Sequence, residues 1–334
     1  MKIAVDAMGG DLAPQEIVKG AVDALRVIDD LEIFLVGQED KVLQELKKLP
    51  DYPVKRITII DAREVIAADE QAGMAIKRKK DSSLSVAMRM VKEKQAEAVV
   101  SAGNTGAFMA GALLLIGRLK GINRPALAPL IPTINRERFM LLDVGANAEA
   151  RPEHLMHYGI MGNIYVQKLL DKKEPRVGLL NIGTEEGKGN QLTREAFPLL
   201  KACGINFIGN VEARNLLEGV ADVVVCDGFT GNIVLKLMEG VVGGIFSSLK
   251  KEMVKNVRSK LGAVMLMPGL KDIKKRLDYM EYGGAPLLGV KGICIKSHGS
   301  SNAKAIKNAV VNQAYPLSRA AVNDIIRTEI DRMS

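Results

Sequence analysis

AVVSAGNTGAFMA at 98–110 and VVVCDGFTGNIVL at 223–235 decide the reading of the fold. Each is a Val-rich run, a Gly-x-Thr-Gly joint and an apolar helix start: Gly103, Thr105 and Gly106 in the first, Gly228, Thr230 and Gly231 in the second. A buried strand handed directly to a helix is the building unit of a mainly parallel sheet covered on both faces. Related joints follow other apolar runs, at DVGAN 143–147, NIGTEEGKGN 181–190 and HGSSN 298–302. Small residues let the backbone approach a ligand, Thr, Ser and Asn add donors, and a helix start adds unpaired N–H groups, so the set points to a phosphate-sized anion. Taken singly, each joint also reads as an ordinary turn capped by Thr. None matches GxxxxGK[ST] or GxGxxG.

Working outward, the runs 2–7, 31–37, 56–61, 97–102, 139–144, 176–182, 205–210, 222–227 and 292–297 read as strands. Helices are expected at 14–27, 82–94, 106–119, 152–170, 191–202 and 302–327, and an apolar repeat at three or four residues predicts a long amphipathic helix over 232–260. The expectation is one α/β domain spanning 1–334, three-layered α/β/α. Its ligands would bind outside the carboxyl ends of the strands.

Composition supports a packed chain: 334 residues, 47% hydrophobic and 26% charged, with no low-complexity tract. The start runs straight into a strand, without a basic region followed by an apolar stretch, so no secretory signal is expected. No apolar run approaches ~20 residues, so no spanning helix is expected and a cytoplasmic location is. Cys203, Cys226 and Cys294 form no CxxC pair and fit reduced thiols. His154 and His157 lack a third ligand nearby for zinc.

The net charge of +8 is local. Between Lys250 and Arg276 lie nine basic and two acidic residues, a net +7 that leaves +1 for the rest of the chain. With no Trp and 4% aromatics there is little for base stacking, and nucleic acid is not expected as a partner. Inside this segment Leu261, Val264, Met265, Leu266, Met267 and Leu270 are interrupted by Pro268 and Gly269, which read as a helix end. The segment 232–282 is therefore expected to protrude as a helical hairpin. Its stripe would pack in a homodimer, while its tip, at Val264, Met265, Leu266 and Met267, would rest on an anionic membrane surface.

In order along the whole chain, IAVDAMGGD (3–11), SAGNTGA (101–107), DVGAN, LLNIGTEEGKGN (179–190), CDGFTGN (226–232) and GGAPLLGVKG (283–292) resemble the bacterial phosphate acyltransferase family, PlsX. The resemblance implies transfer of a fatty acyl group from acyl carrier protein to inorganic phosphate, giving an acyl phosphate for phospholipid synthesis. It also implies a dimer associated peripherally with the inner face of the cell membrane, and a fold similar to that of the isocitrate and isopropylmalate dehydrogenases and of phosphotransacetylase.

The chemistry fits the scarcity of catalytic side chains. A thioester is already reactive, a thiol of pKa ~8.5 leaves readily, and phosphate brings its own nucleophile. The protein must hold anion and carbonyl together and stabilise the developing oxyanion, without an essential metal or any cofactor. Lys188, between two glycines, is the first candidate for the required positive charge; an exposed loop lysine is the alternative. Asn232 and His298 complete the candidate catalytic set, His298 as a proton donor to the thiolate or as a structural strand-end histidine. The candidate substrate-binding set is Asp6, Gly9, Gly10, Asn104, Thr105, Gly106, Asn147, Asn181, Gly183, Thr184, Gly228, Thr230 and Gly231. Asp6, Asp11, Asp143 and Asp227 are read as loop braces rather than metal ligands, and Cys226 as buried rather than acylated. For an acidic carrier protein, the run 77–80 (Lys77, Arg78, Lys79, Lys80) is a candidate docking surface, with Arg118, Lys120 and Arg124 weaker candidates. A short-chain enzyme using coenzyme A thioesters and a non-catalytic phospho-ligand adaptor are the competing readings.

Overall fold

The computed structural model describes residues 1–277 and 279–333. Twelve strands are seen among them: β1 (Lys2–Asp6), β2 (Glu32–Gly37), β3 (Ile57–Asp61), β4 (Ala98–Ser101), β5 (Ala126–Leu127), β6 (Leu130–Pro132), β7 (Arg138–Leu142), β8 (Val177–Asn181), β9 (Phe207–Glu212), β10 (Val223–Val225), β11 (Ala285–Leu288) and β12 (Ile293–Lys296). They form two sheets where sequence reading expects one. The first runs β3-β2-β1-β4-β12-β11-β5 and the second β6-β7-β10-β8-β9. Pairing is parallel except where β11, β5 and β6 join. β5, β6 and β11 are two to four residues long, too short for a periodicity signal, and they turn the chain from one sheet into the other.

Layering follows from alternation along each strand. Ile3 and Val5 of β1 enter one hydrophobic cluster while Ala4, between them, enters a second on the opposite face. In the other sheet Met140, Leu142, Val223 and Val225 join that same first cluster, and Phe139, Leu141 and Val224 face a third. One apolar layer therefore underlies both sheets.

The 302–327 expectation is broken by the structure. Helical turns run from Ala303 to Arg319, and a new helix, Val322–Met333, starts after Ala321, whose φ is +47°. The basic segment also differs. Gly228–Met253 forms one helix, 254–256 turns, and Val257–Leu277 forms a second that contains Pro268. The helix end read at Pro268–Gly269 is thus inside a helix, and the chain reverses earlier. The overlooked signal is Asn256, whose Oδ1 accepts the Ser259 N–H at 2.8 Å and restarts the helix. The two helices pack against each other, and Leu261, Val264, Met265 and Leu266 are exposed. Gly228–Met253 is also long and apolar enough, by length and composition, to cross a membrane. Between Gly228 and Leu249 only Lys236 and Glu239 are charged, and such isolated charges interrupt runs without making a helix polar.

Candidate active site

Three parallel strands end side by side at the middle of the first sheet. Lys296 of β12 is in register with Ser101 of β4, and β1, on the far side of β4, ends at Asp6. All three are buried, Asp6 and Ser101 at 1% exposure and Lys296 at 6%. Ser101 Oγ donates to Asp6 Oδ2 at 2.6 Å, and the Met8 N–H reaches Oδ1 at 3.3 Å. The Lys296 ammonium donates to the carbonyl of Ser297. Burial raises the Asp6 carboxyl above its ordinary range, although the Ser101 bond pulls the other way. Burial likewise lowers Lys296 to about 8, against the upward pull of Asp6 and Asp11.

Two cavities meet here, both lined by Thr105, Lys296 and Gly299. One, about 420 Å³, is bounded by Gly10, Asp11, Gly103, Asn104 and the loop 65–68. The other, about 340 Å³, lies between the two sheets, with Leu127, Pro129, Val144 and Leu235 as apolar walls and Asn232, Ser297 and His298 as polar ones. The chain thus forms a polar chamber and a more apolar one, joined at a buried lysine. Gly10 has φ +111° and a β-carbon there would lie 3.0 Å from the Gly299 carbonyl oxygen, so the loop after β1 depends on glycine.

The sequence-predicted residues separate into groups. Gly10, Asn104, Thr105, Asn232 and His298 line the joined cavities, and Asp6 and Gly9 lie behind them. Asn232 rests against Gly145, and its amide has no hydrogen-bond partner among the described residues. His298 Nδ1 lies 2.8 Å from the Ser300 hydroxyl and 3.2 Å from the Ser300 N–H, so Ser300 sets the orientation of the ring. The Asn104 side chain is fully engaged: Oδ1 accepts the Ala107 N–H, and Nδ2 donates to the carbonyls of Ala67, Ala68 and Glu70.

Other candidates are occupied in holding loops. Asp143 Oδ1 accepts the N–H groups of Leu127, Gly145 and Ala146. Asn147 donates to the carbonyl of Pro125, to Asp143 Oδ2 and to Tyr158 Oη. Gly228 and Gly231 fit closely onto this loop, Thr230 donates its hydroxyl to Asp227 at 2.7 Å, and Gly106 packs against Ala72. Asn181 spans its own loop, donating to the Lys188 carbonyl at 3.0 Å, and Gly183 lies against the Lys188 side chain. Thr184 is exposed, and Lys188, half exposed, has its ammonium 3.9 Å from Glu185. This β8 loop lines neither cavity. Cys226 is buried, its thiol donating to the Asp143 carbonyl, and burial pushes the thiol's pKa well up. Sequence reading missed Lys296, whose signal was a lone charge ending the apolar run GICIK.

Comparison with known proteins places the chain in a family. The family model described as Fatty acid synthesis protein matches residues 1–324. The phosphate acyltransferase of Clostridium tetani is 54% identical over 310 residues, 93% of this chain and 92% of its own. The chain belongs to the phosphate acyltransferase family. That of Clostridium acetobutylicum is 50% identical with both chains fully covered. The phosphate acyltransferase family's place among folds follows from solved structures. A phosphotransacetylase from Streptococcus pyogenes superposes with TM-score 0.64 at 20% identity, covering 96% of this chain and 94% of that one. A branched-chain phosphotransacylase from Enterococcus faecalis V583 does so with TM-score 0.56 at 12% identity, covering 95% and 99%. The likeness in fold to phosphotransacetylase expected from the sequence is therefore met. The protein is an acyltransferase of this family.

Proposed function

We propose that this protein transfers a long-chain fatty acyl group from acyl carrier protein to inorganic phosphate, by direct attack of bound phosphate on the thioester. The observation that carries the reading is the pair of joined chambers, one polar and one with apolar walls, that share the buried Lys296. Phosphate fits the polar chamber, where a helix begins at Thr105 and the N–H groups of Thr105 and Gly106, unlike the capped Ala107 N–H, have no partner among the described residues. The acyl group extends past Leu127, Val144 and Leu235. Attack forms the C–O bond, and the carbonyl oxygen gains charge that the Asn232 amide and the His298 ring are placed to receive as donors. The C–S bond then breaks and the carrier's thiol departs.

Acidic carrier protein would dock on Lys77, Arg78 and Lys80, which are exposed beside the loop walling the polar chamber. Lys79 turns inward to the Val65 carbonyl and Glu70 instead. For the helix Gly228–Met253, Phe229, Ile233, Leu237, Val241, Ile245 and Leu249 recur every fourth residue and are exposed, which supports a face covered by a second copy in a homodimer. Exposed Val264, Met265, Leu266 and Met267, near Lys255 and Lys260, support peripheral attachment to the cytoplasmic face of an anionic membrane by a projecting helix pair. We also infer that the kinship of fold extends to the isocitrate and isopropylmalate dehydrogenases.

Long-chain acyl carrier protein incubated with labelled phosphate should yield labelled acyl phosphate. Turnover of acetyl coenzyme A alone would instead favour the short-chain reading, and reaction with neither would favour the adaptor. V264E with L266E should abolish flotation with anionic liposomes while sparing soluble turnover; persistent flotation would return these residues to packing.

A further inference from the structure

Among the described residues Lys296 is the one ammonium bordering both chambers, and its setting is unusual for a lysine. It ends a strand whose preceding residues are Ile293, Cys294 and Ile295, lies at 6% exposure, and donates to no side chain among the described residues. A surface lysine has no reason to be there, since burying an ammonium without a bonded carboxylate costs several kcal/mol. Its bond to the Ser297 carbonyl uses one of three protons. The others have no acceptor among the described residues, and the group borders both cavities. Asp6, the buried acid that pulls most on it, is already held by Ser101 and Met8.

We propose that Lys296 is a catalytic residue of the acyl transfer, touching both reactants and carrying the proton that the departing sulfur needs. The inference rests on the phosphate-attack reading above. As the phosphate oxygen bonds to the acyl carbon and the C–S electron pair leaves with sulfur, the Lys296 ammonium gives its proton to the thiolate, forming the carrier's thiol. The resulting amine takes the proton that the phosphate brought in, so the acyl phosphate leaves as the dianion and the ammonium is restored. Nothing is oxidised or reduced, and no external base is required.

The surroundings tune the group for this. The charged and titratable groups around it are Asp6 at the end of β1, Asp11 in the loop after it, His298 two residues on, and Lys236 and Glu239 from the helix across the apolar chamber. Burial outweighs the two aspartates and brings Lys296 to about 8. That is close to a free thiol's ~8.5, the match that makes proton transfer between them efficient. In sign, activity dependent on the ammonium is present below this value and declines as pH rises through it.

The test compares Lys296→Met and Lys296→Arg with the unmodified protein, using long-chain acyl carrier protein and labelled phosphate. Lys296→Met should retain its melting temperature and lose ~10²–10⁴-fold in kcat, as removal of a general acid does. It should also lose the decline of rate through pH 8. Lys296→Arg, charged but unable to release its proton, should not recover the rate. With a nitrothiophenyl thioester, whose leaving group needs no proton, the Met variant's deficit should shrink to below ~10-fold. Recovery by Arg would overturn the proton-transfer role in favour of charge alone. An equal deficit with both thioesters, or a Met variant as active as the parent, would overturn the proposal outright. If the parent itself forms no acyl phosphate, the phosphate-attack reading fails first and the proposal fails with it.

Discussion

Gly231 lies so close to Asp143 that a β-carbon on it would stand 1.9 Å from the Asp143 carbonyl oxygen. The first turn of the long helix is therefore seated directly on the loop after β7, and this seating sets one wall of the apolar chamber. Because the obstacle is backbone, it cannot turn aside. Gly231→Ala should cost about 3 kcal/mol or more, measured by denaturant unfolding, since overpacking against fixed backbone is at the upper end of such penalties. An unchanged midpoint would show that the helix start is free to move.

Asn104 joins a helix start to the loop over the polar chamber. With three carbonyls of 67–70 bound by one amide, Asn104→Ala should remove the cap, at about 1 kcal/mol, and loosen the loop as well. Hydrogen exchange is the measurement: amides of 65–71 should exchange faster, with those of β4 unaffected. Equal protection in both proteins would mean that the Lys79–Glu70 contact alone holds the loop.

Asn232 and Thr230 are two residues apart and should respond oppositely. Asn232 faces the chamber with a free amide, so Asn232→Ala should lower kcat by ~10²-fold or more, the loss of an oxyanion donor, with little change in stability. Thr230 gives its hydroxyl to Asp227, so Thr230→Val should cost about 1 kcal/mol of stability and little turnover. The reverse pattern would exchange their roles.

At the other end of the second sheet, Asp222 accepts Lys172 Nζ at 2.6 Å and the Arg176 N–H at 2.8 Å. Burial works to raise its pKa, but these bonds outweigh it and the carboxyl is held below its ordinary value. A depressed native pKa stabilises fully above the unfolded value of ~3.9 and is lost as pH falls through the native one. Asp222→Asn should therefore cost about 2 kcal/mol at neutral pH, less than a fully buried pair because both cations are partly exposed. The gap from the parent should narrow below pH ~4. A gap constant with pH would place the effect in packing.

The strand-to-helix joints were legible because buried parallel strands leave continuous apolar runs, and 98–110 and 223–235 fall where the structure places β4, β10 and their helices. Three things were not legible. β5, β6 and β11 are too short to show a period, so the division into two sheets left no trace. Lys188, flanked by glycines, has the local look of a phosphate cradle, yet its loop braces itself through Asn181. Lys296 has no such look: a lysine ending an apolar run is ordinarily solvated, and only the pairing of β12 between β4 and β11 buries it. Local chemistry can be read along a chain, but which strand end becomes a site's floor depends on the order of strands.

The apolar layer that runs beneath both sheets has a mechanical consequence. Separating the chamber walls would open Met140 and Val223 on one side, and Val5 and Val100 on the other, to water. At ~25 cal/mol for each square ångström exposed, such a hinge would be expensive to swing. The two sheets therefore behave as a single anvil. The parts left to yield are the thin ones, the loop 65–68 over the polar chamber and the helix turn at Asn232–Glu239 along the apolar one.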